Sequence, residues 1–462
     1  MVKVTCRRRS LLSLAGRLVL TFSLAVGPVG AQTEEKVNPP EKGVGGFPSL
    51  AGPLNAETAV QLGLENSLSL AMSRAQLRQQ AAMTDEARSQ TRPQLSLNGY
   101  GMRSTMPMIY QSAPGVMPNF IQLYDRPGAL SASAMFMMPL FTGGALEHQL
   151  QAAEQSEKGA VARTAFSLRE TARQVRVNYF KVQETRANFQ VLTWQLSQNQ
   201  EMERIAQEQL RVGKAAPFVR LRAQAEVAAT QQRQNELQAE QTEKEVALKT
   251  AMGVAVDSNF ELPKEESPPI PPASLPELLA TALAERSDIV AARYAVEEGD
   301  QLVSAAVSEY SPKGYLVGML ESTRTDPFAM ARSETGYSVG LVVSFPLYDG
   351  GMREAREERA RATLEERQLK LRQLELDSSG QVTAARARLL TGLQNYDLSK
   401  VELARAEEDW RIAHLRMTVG KAIYVEVLDA LLALSRARNN QVRSLYSARM
   451  AEADLVYAIG RY

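Results

Sequence analysis

The sequence predicts an α+β membrane protein made by internal duplication, with four strands and a set of long antiparallel helices per chain. Three observations lead there: an ordered set of residues occurs twice, two proline-free stretches are far too long for a compact domain, and short segments of alternating hydropathy sit at matching points between them. After residue 31 there is no apolar run of the roughly 18–20 residues that a membrane helix requires. A closed barrel is then the one membrane-spanning structure open to the chain, because it alone satisfies every backbone group without a helix.

At the N-terminus, Lys3, Arg7, Arg8, Arg9 and Arg17 precede or interrupt the apolar stretch Leu11–Val26, which ends in Val29-Gly30-Ala31. Residues 1–31 therefore form a signal peptide, with small residues where a signal peptidase cuts. Arg8-Arg9 leaves a twin-arginine export signal as the alternative to a plain basic leader. Removing these five cations turns a formal charge of +1 into −4, which argues against a nucleic-acid binder. Cys6, the only cysteine, lies in the leader, so the mature chain forms no disulfide and no thiolate metal site. Residues 32–53, rich in proline and glycine, should be extended or disordered.

The duplication is explicit. Leu64, Leu70, Arg74 and Pro93 recur as Leu283, Ile289, Arg293 and Pro312, at an offset of 219. Pro139-Leu140-Phe141-x-Gly143-Gly144 recurs as Pro346-Leu347-Tyr348-x-Gly350-Gly351, at 207. The same 207 relates Val212-Gly213-Lys214-Ala215 to Val419-Gly420-Lys421-Ala422, and Gly253 to Gly460. Repeat 1 spans 54–256 and repeat 2 spans 276–462, with a proline-rich linker at 257–275.

Within each repeat a helix (55–92, 276–311) leads to a β-hairpin (94–140, 313–347), a long helix (145–212, 352–419) and a return helix (218–252, 424–459). The long segments lack proline and are dominated by Ala, Leu, Gln, Glu and Arg, all good helix formers. At 1.5 Å per residue each would reach about 100 Å. The hairpin arms alternate, as in Tyr337, Val339, Leu341, Val343 and Phe345 against Ser338, Gly340, Val342 and Ser344. Arms of about nine residues suit tilted strands crossing a bilayer. Four strands cannot close a barrel, since small barrels need about eight. Three chains would supply a shared 12-stranded barrel, with a ring of antiparallel helices beneath it.

The ordered set, half-helix, hairpin, Pro-Leu-Phe/Tyr-x-Gly-Gly, long helix, Val-Gly-Lys-Ala turn and return helix, occurring twice between Leu54 and Tyr462, resembles the TolC family of outer-membrane efflux proteins. The resemblance implies a homotrimeric channel-tunnel: a barrel in outer-membrane lipid above a coiled-coil tunnel in the periplasm. It also implies a passive exit duct of a tripartite efflux or type I secretion system. The implied partners are a periplasmic adaptor (membrane fusion) protein and an inner-membrane transporter of the RND or ABC type, with no nucleic acid.

Candidate site residues follow. Pro139, Gly143, Gly144, Pro346, Gly350 and Gly351 mark the strand-to-helix junctions. Val212, Gly213, Lys214, Val419, Gly420 and Lys421 form the turns at the far helix ends, where glycine can supply the positive φ of a helix stop. In the resembling family these turns also contact the adaptor. Glu426 and Asp429, three apart, share one face of the last helix. The resemblance makes them the lining of a cation-attracting aperture, against the alternative of a solvated helix face. Their counterparts in repeat 1 are Val219 and Arg222. Met417 and Ala422 stand where family members carry residues that lock the closed state.

Met102, Met106, Met108, Met117, Met135, Met137 and Met138 cluster in the first hairpin. Thioethers are soft ligands for Cu(I), but methionine also fills apolar surface indifferently. His148 and His414 stand alone. No catalytic constellation and no cofactor motif appears, so no enzymatic activity is expected. The competing reading is a soluble periplasmic coiled-coil scaffold or pump adaptor, which explains the helices and the leader but not two oily hairpins.

Overall fold

Among the described residues, four antiparallel strands and eight helices of very unequal length carry the architecture. The structure, a computed structural model, describes residues 48, 51–103, 108–111, 121–124, 128–213, 215–263, 267–325, 333–419 and 421–462. The leader, most of residues 32–53, Lys214, Gly420 and parts of both hairpin tips lie outside these residues.

In the first half, α1 (Ala56–Asn66, 11 residues) and α2 (Leu68–Ser89, 22 residues) precede the strands, followed by α3 (Ala145–Arg211, 67 residues) and α4 (Pro217–Met252, 36 residues). The second half has α5 (Leu275–Glu285, 11 residues), α6 (Ser287–Ser308, 22 residues), α7 (Met352–Thr418, 67 residues) and α8 (Tyr424–Ala458, 35 residues). Helix α1 begins with a reciprocal cap: the Asn55 side chain accepts from the Thr58 N–H at 2.7 Å, and Thr58 Oγ1 accepts from the Asn55 N–H at 3.1 Å.

The single helices expected at 55–92 and 276–311 are each broken in two. Ser67 (φ −61, ψ 123) and Arg286 (φ −67, ψ 120) are extended between helical neighbours. No proline or glycine stands at either break. The cause is tertiary, because Gly253 and Gly460, both at positive φ, bring the C-terminal ends of α4 and α8 against these residues. A Cβ on Gly253 would lie 3.2 Å from the Ser67 nitrogen, and one on Gly460 would lie 2.9 Å from the Arg286 nitrogen. Arg286, 4% exposed, is held by Asp288 at 2.7 Å, Gln381 at 3.0 Å and the Ala458 carbonyl at 3.2 Å.

Helix α3 changes neighbours along its length. Its first part packs on α2 and α6, with Ser73 reaching Thr164 and Gln301 reaching His148 at 2.9 Å. Its second part packs on α4 and α8, where Asn199 donates to Thr230 at 2.8 Å. Helix α7 likewise lies beside α6 and then α8. The switch is filled by a core of Leu54, Val175, Tyr179, Phe180, Leu248, Met252, Phe260 and Tyr446. Beside it, β1 (Ala51–Pro53) pairs in parallel with β6 (Asn259–Glu261), so the end of the N-terminal segment and the linker are tied together as strands.

The main sheet has the order β2-β5-β7-β8, all antiparallel: β2 Gln94–Arg103, β5 Gly128–Phe141, β7 Lys313–Thr325 and β8 Ser333–Ser344. Between β2 and β5 the first hairpin holds a further pair, β3 (Met108–Gln111) with β4 (Ile121–Tyr124). Register aligns Leu97, Ala134, Leu320 and Tyr337 in one row, and Leu95, Phe136, Gly318 and Val339 in the next on the same face. That face is oily and bare, with Leu97 82% and Tyr337 84% exposed. The opposite face carries Ser96, Asn98, Ser131, Ser133, Glu321 and Thr323, with Glu321 accepting from Ser131 at 2.9 Å and from Thr323 at 3.1 Å.

Candidate functional site

Each strand-to-helix junction turns the chain through two consecutive left-handed glycines: Gly143 (φ 66) and Gly144 (φ 88), then Gly350 (φ 71) and Gly351 (φ 87). Only glycine takes this conformation in pairs without strain. Gly143 must also be bare, since a Cβ there would lie 3.1 Å from the Ser308 carbonyl oxygen, whereas Gly350 faces open space. The residue before each glycine pair caps the helix that follows. Thr142 Oγ1 accepts from the Leu146 N–H at 3.5 Å; Asp349 accepts from the Gly351 N–H at 3.2 Å and from Arg353 at 2.8 Å. Desolvation works against the Asp349 carboxylate, but Arg353 and these N–H groups outweigh it and hold its pKa below the usual carboxylate value. Pro139 lies at an irregularity in the β5–β7 ladder, where a residue without an N–H is tolerated, and Pro346 follows the last paired residue of β8.

At the far end the two helical hairpins meet. Met202 and Ala206 of α3, Ala223 of α4, Met417 of α7 and Tyr424, Val427 and Leu428 of α8 form one buried cluster. Burial pushes the Tyr424 phenol up to about 12. Outside this cluster the turns are exposed: Val212 and Val419 are both exposed, and a Cβ added at Gly213 (φ 72) would meet nothing within 4 Å. Lys421 donates its N–H to the Arg416 carbonyl at 2.8 Å, and its own carbonyl accepts from the Arg416 guanidinium at 3.2 Å. Sequence reasoning missed that Phe218, Leu221, Leu415 and Ile423 are also bare, which makes the tip strongly apolar. The signal was present in the i, i+3 pair Phe218 and Leu221 at the start of α4.

Glu426 lies in the first turn of α8 and Asp429 three residues on. Both are exposed, while Val427 and Leu428 between them are fully buried, so the pair occupies the outward side of the helix end. Neither enters an ion pair among the described residues. Their counterparts differ, Val219 being half-buried and Arg222 exposed.

The sequence pattern of the outer membrane efflux protein family matches residues 59–254 and 278–461. The chain belongs to that family. It is accordingly an outer-membrane efflux protein, and the soluble-scaffold alternative falls. Solved structures share the fold. The outer membrane protein VceC of Vibrio cholerae is 19% identical with a TM-score of 0.73, over 88% of this chain and 96% of its own. The Campylobacter jejuni CmeC outer membrane channel is 17% identical with a TM-score of 0.73, over 88% and 85%. The open-state Neisseria gonorrhoeae MtrE outer membrane channel is 17% identical with a TM-score of 0.71, over 88% and 89%. No curated protein matches the chain. Among the described residues no helix of this efflux protein is long and apolar enough to cross a membrane.

Proposed function

We propose that three copies of the chain pool their strands into one closed twelve-stranded barrel in the outer membrane, above a periplasmic helical tunnel, as the passive exit duct of a tripartite efflux system. The observation that carries this is the sheet itself. Among the described residues, strands β2 and β8 each have one edge without a partner, and the oily face is bare. In lipid each unpaired backbone group costs several kcal/mol, so the edges must join those of other copies. From Tyr337 to Phe345, the residue just after β8, the alternating oily residues run eight steps. At about 3.4 Å per step and a tilt near 40° that gives a band about 21 Å tall, close to the roughly 25 Å of outer-membrane barrels.

The matched helix lengths, and the breaks at Ser67 and Arg286 that keep the offset of 219, support an internal duplication; the basic and apolar pattern of residues 1–31 supports a removed leader. The apolar tips around Val212, Gly213, Val419 and Lys421 offer a surface for the helical hairpins of a periplasmic adaptor, which links the duct to an inner-membrane transporter. Glu426 and Asp429 line the aperture there. In this scheme the glycine junctions redirect each strand into a tunnel helix. Fractionation tests the core of the proposal: heat-modifiable, detergent-resistant trimers in the outer membrane are expected, and a monomer released with soluble periplasm would overturn it. Crosslinking from cysteines placed at Lys214 and Lys421 should capture the adaptor.

A further inference from the structure

Three methionines meet on the polar side of the sheet. Met135 on β5 and Met319 on β7 are direct register partners, and Met137 lies two residues along β5 on the same face. Their neighbours in the row are Ser96 and Ser338, and the next row holds Asn98, Ser133 and Glu321. None of the three belongs to a hydrophobic cluster among the described residues, and each stays partly exposed. Met137 opposes the buried Val317, so packing accounts for part of its surface, whereas Met135 and Met319 face each other between Ser96 and Ser338. Met138, by contrast, pairs with Leu316 on the oily face, where an apolar side chain is expected.

We propose that Met135, Met137 and Met319 form a thioether site for a soft monovalent cation, Cu(I) or Ag(I). Directly opposed side chains start about 4.5–5.5 Å apart at Cβ and diagonal ones about 7–8 Å apart, within reach of flexible methionines converging on one ion. Thioethers favour Cu(I) over the hard cations. No group of three His, Cys, Asp or Glu among the described residues offers a competing site. Glu321, one row away on the same strand and face, adds a negative charge that draws a cation towards the sulfurs. The ligands come from both halves of the chain: Met135 and Met137 belong to the first-hairpin methionines read from the sequence, of which Met106 and Met117 lie outside the described residues, and Met319 comes from the second hairpin. The site rests on the duct reading only for the direction of this face, which in a barrel looks into the lumen; the ligands belong to one chain.

The test is titration of the purified protein in detergent with Cu(I), kept reduced by ascorbate, against bicinchoninate, with X-ray absorption to identify the donor atoms. One sulfur-ligated Cu(I) per chain is expected. The double variant M135L/M319L keeps side-chain volume and should weaken binding at least tenfold, while M138L, on the other face of the same strand, should leave it unchanged. Absence of binding by the unmodified protein, or equal binding by the double variant, would overturn the proposal. Native mass spectrometry of the same samples counts the chains per particle, so a failure of the trimer is seen separately from a failure of the metal site.

Discussion

Trp410 of α7 meets Trp194 of α3 edge to face, with ring centroids 5.8 Å apart, over a small cluster of Ala406, Leu434 and Ala437. Arg438 of α8 lies over the Trp194 ring at 4.0 Å and reaches Glu407 of α7 at 3.3 Å, while His414 stacks on Trp410 at 5.2 Å. Helices from both halves are thus clasped together a few turns from the tips. The clasp reports on itself, because the chain has only these 2 tryptophans.

Replacing Arg438 by alanine removes the cation from the Trp194 face. Such a contact is worth about 0.5–1 kcal/mol when partly exposed, and the ion pair adds little because Glu407 is half exposed. We expect a loss of about 1 kcal/mol in urea unfolding and a shifted tryptophan emission in the folded protein. Identical emission and an unmoved midpoint would show that the clasp holds nothing.

Gly460→Ala should be more damaging than Gly213→Ala. Both residues sit at positive φ, which costs an alanine about 1–2 kcal/mol. At Gly213 that is the whole penalty, since the new methyl meets nothing, but at Gly460 it would also press on the Glu285–Arg286 backbone at 2.9 Å. The backbone cannot swing aside as a side chain does, so a further 1–3 kcal/mol or so is expected. Thermal denaturation of the two variants side by side decides it; equal midpoints would mean that the break at Arg286 gives way freely.

Acid should loosen the α3–α4 hairpin through Glu245. Burial disfavours its carboxylate, but hydrogen bonds from Gln241 at 3.0 Å and Arg186 at 2.7 Å outweigh burial and lower its pKa. A depressed carboxylate contributes stability that is complete above the unfolded value near 4.3 and is lost as pH falls through the folded one. Unfolding measured from pH 6 to pH 2 should therefore fall less steeply in Glu245→Gln than in the unmodified chain. Parallel pH profiles would assign the acid sensitivity elsewhere.

How much of this was legible in the sequence depended on how local the cause is. The 67-residue helices follow from composition and the absence of proline, and the hairpin arms from alternation, so both stood out residue by residue. The breaks at Ser67 and Arg286 did not, because nothing local enforces them; they exist where Gly253 and Gly460, 186 and 174 residues further along the chain, pack against them. The pairing of Met135 with Met319 was hidden for the same reason, since it depends on which strands become neighbours. At the candidate site the glycine turns were visible as motif, whereas the bare Phe218 and Ile423 beside them emerge only once burial is known.

The acidic pair offers the sharpest test of function. Glu426 and Asp429 each lack an ion-pair partner among the described residues and face outward beside fully buried Val427 and Leu428. In a trimer with a single aperture they bring two carboxylates per chain to one narrow place, where the low-dielectric wall focuses their field on the ion path. Glu426→Ala together with Asp429→Ala should therefore reduce the cation preference of single channels in a planar bilayer and relieve block by divalent ions. The effect should shrink as ionic strength rises, since a Debye length of about 10 Å at 0.1 M falls to about 3 Å at 1 M. Because both side chains are solvent-exposed, the substitutions should leave trimer stability within about 0.5 kcal/mol, so any change in conductance is not a folding defect. Unchanged selectivity and unchanged block in a stable trimer would return the pair to an ordinary solvated helix face.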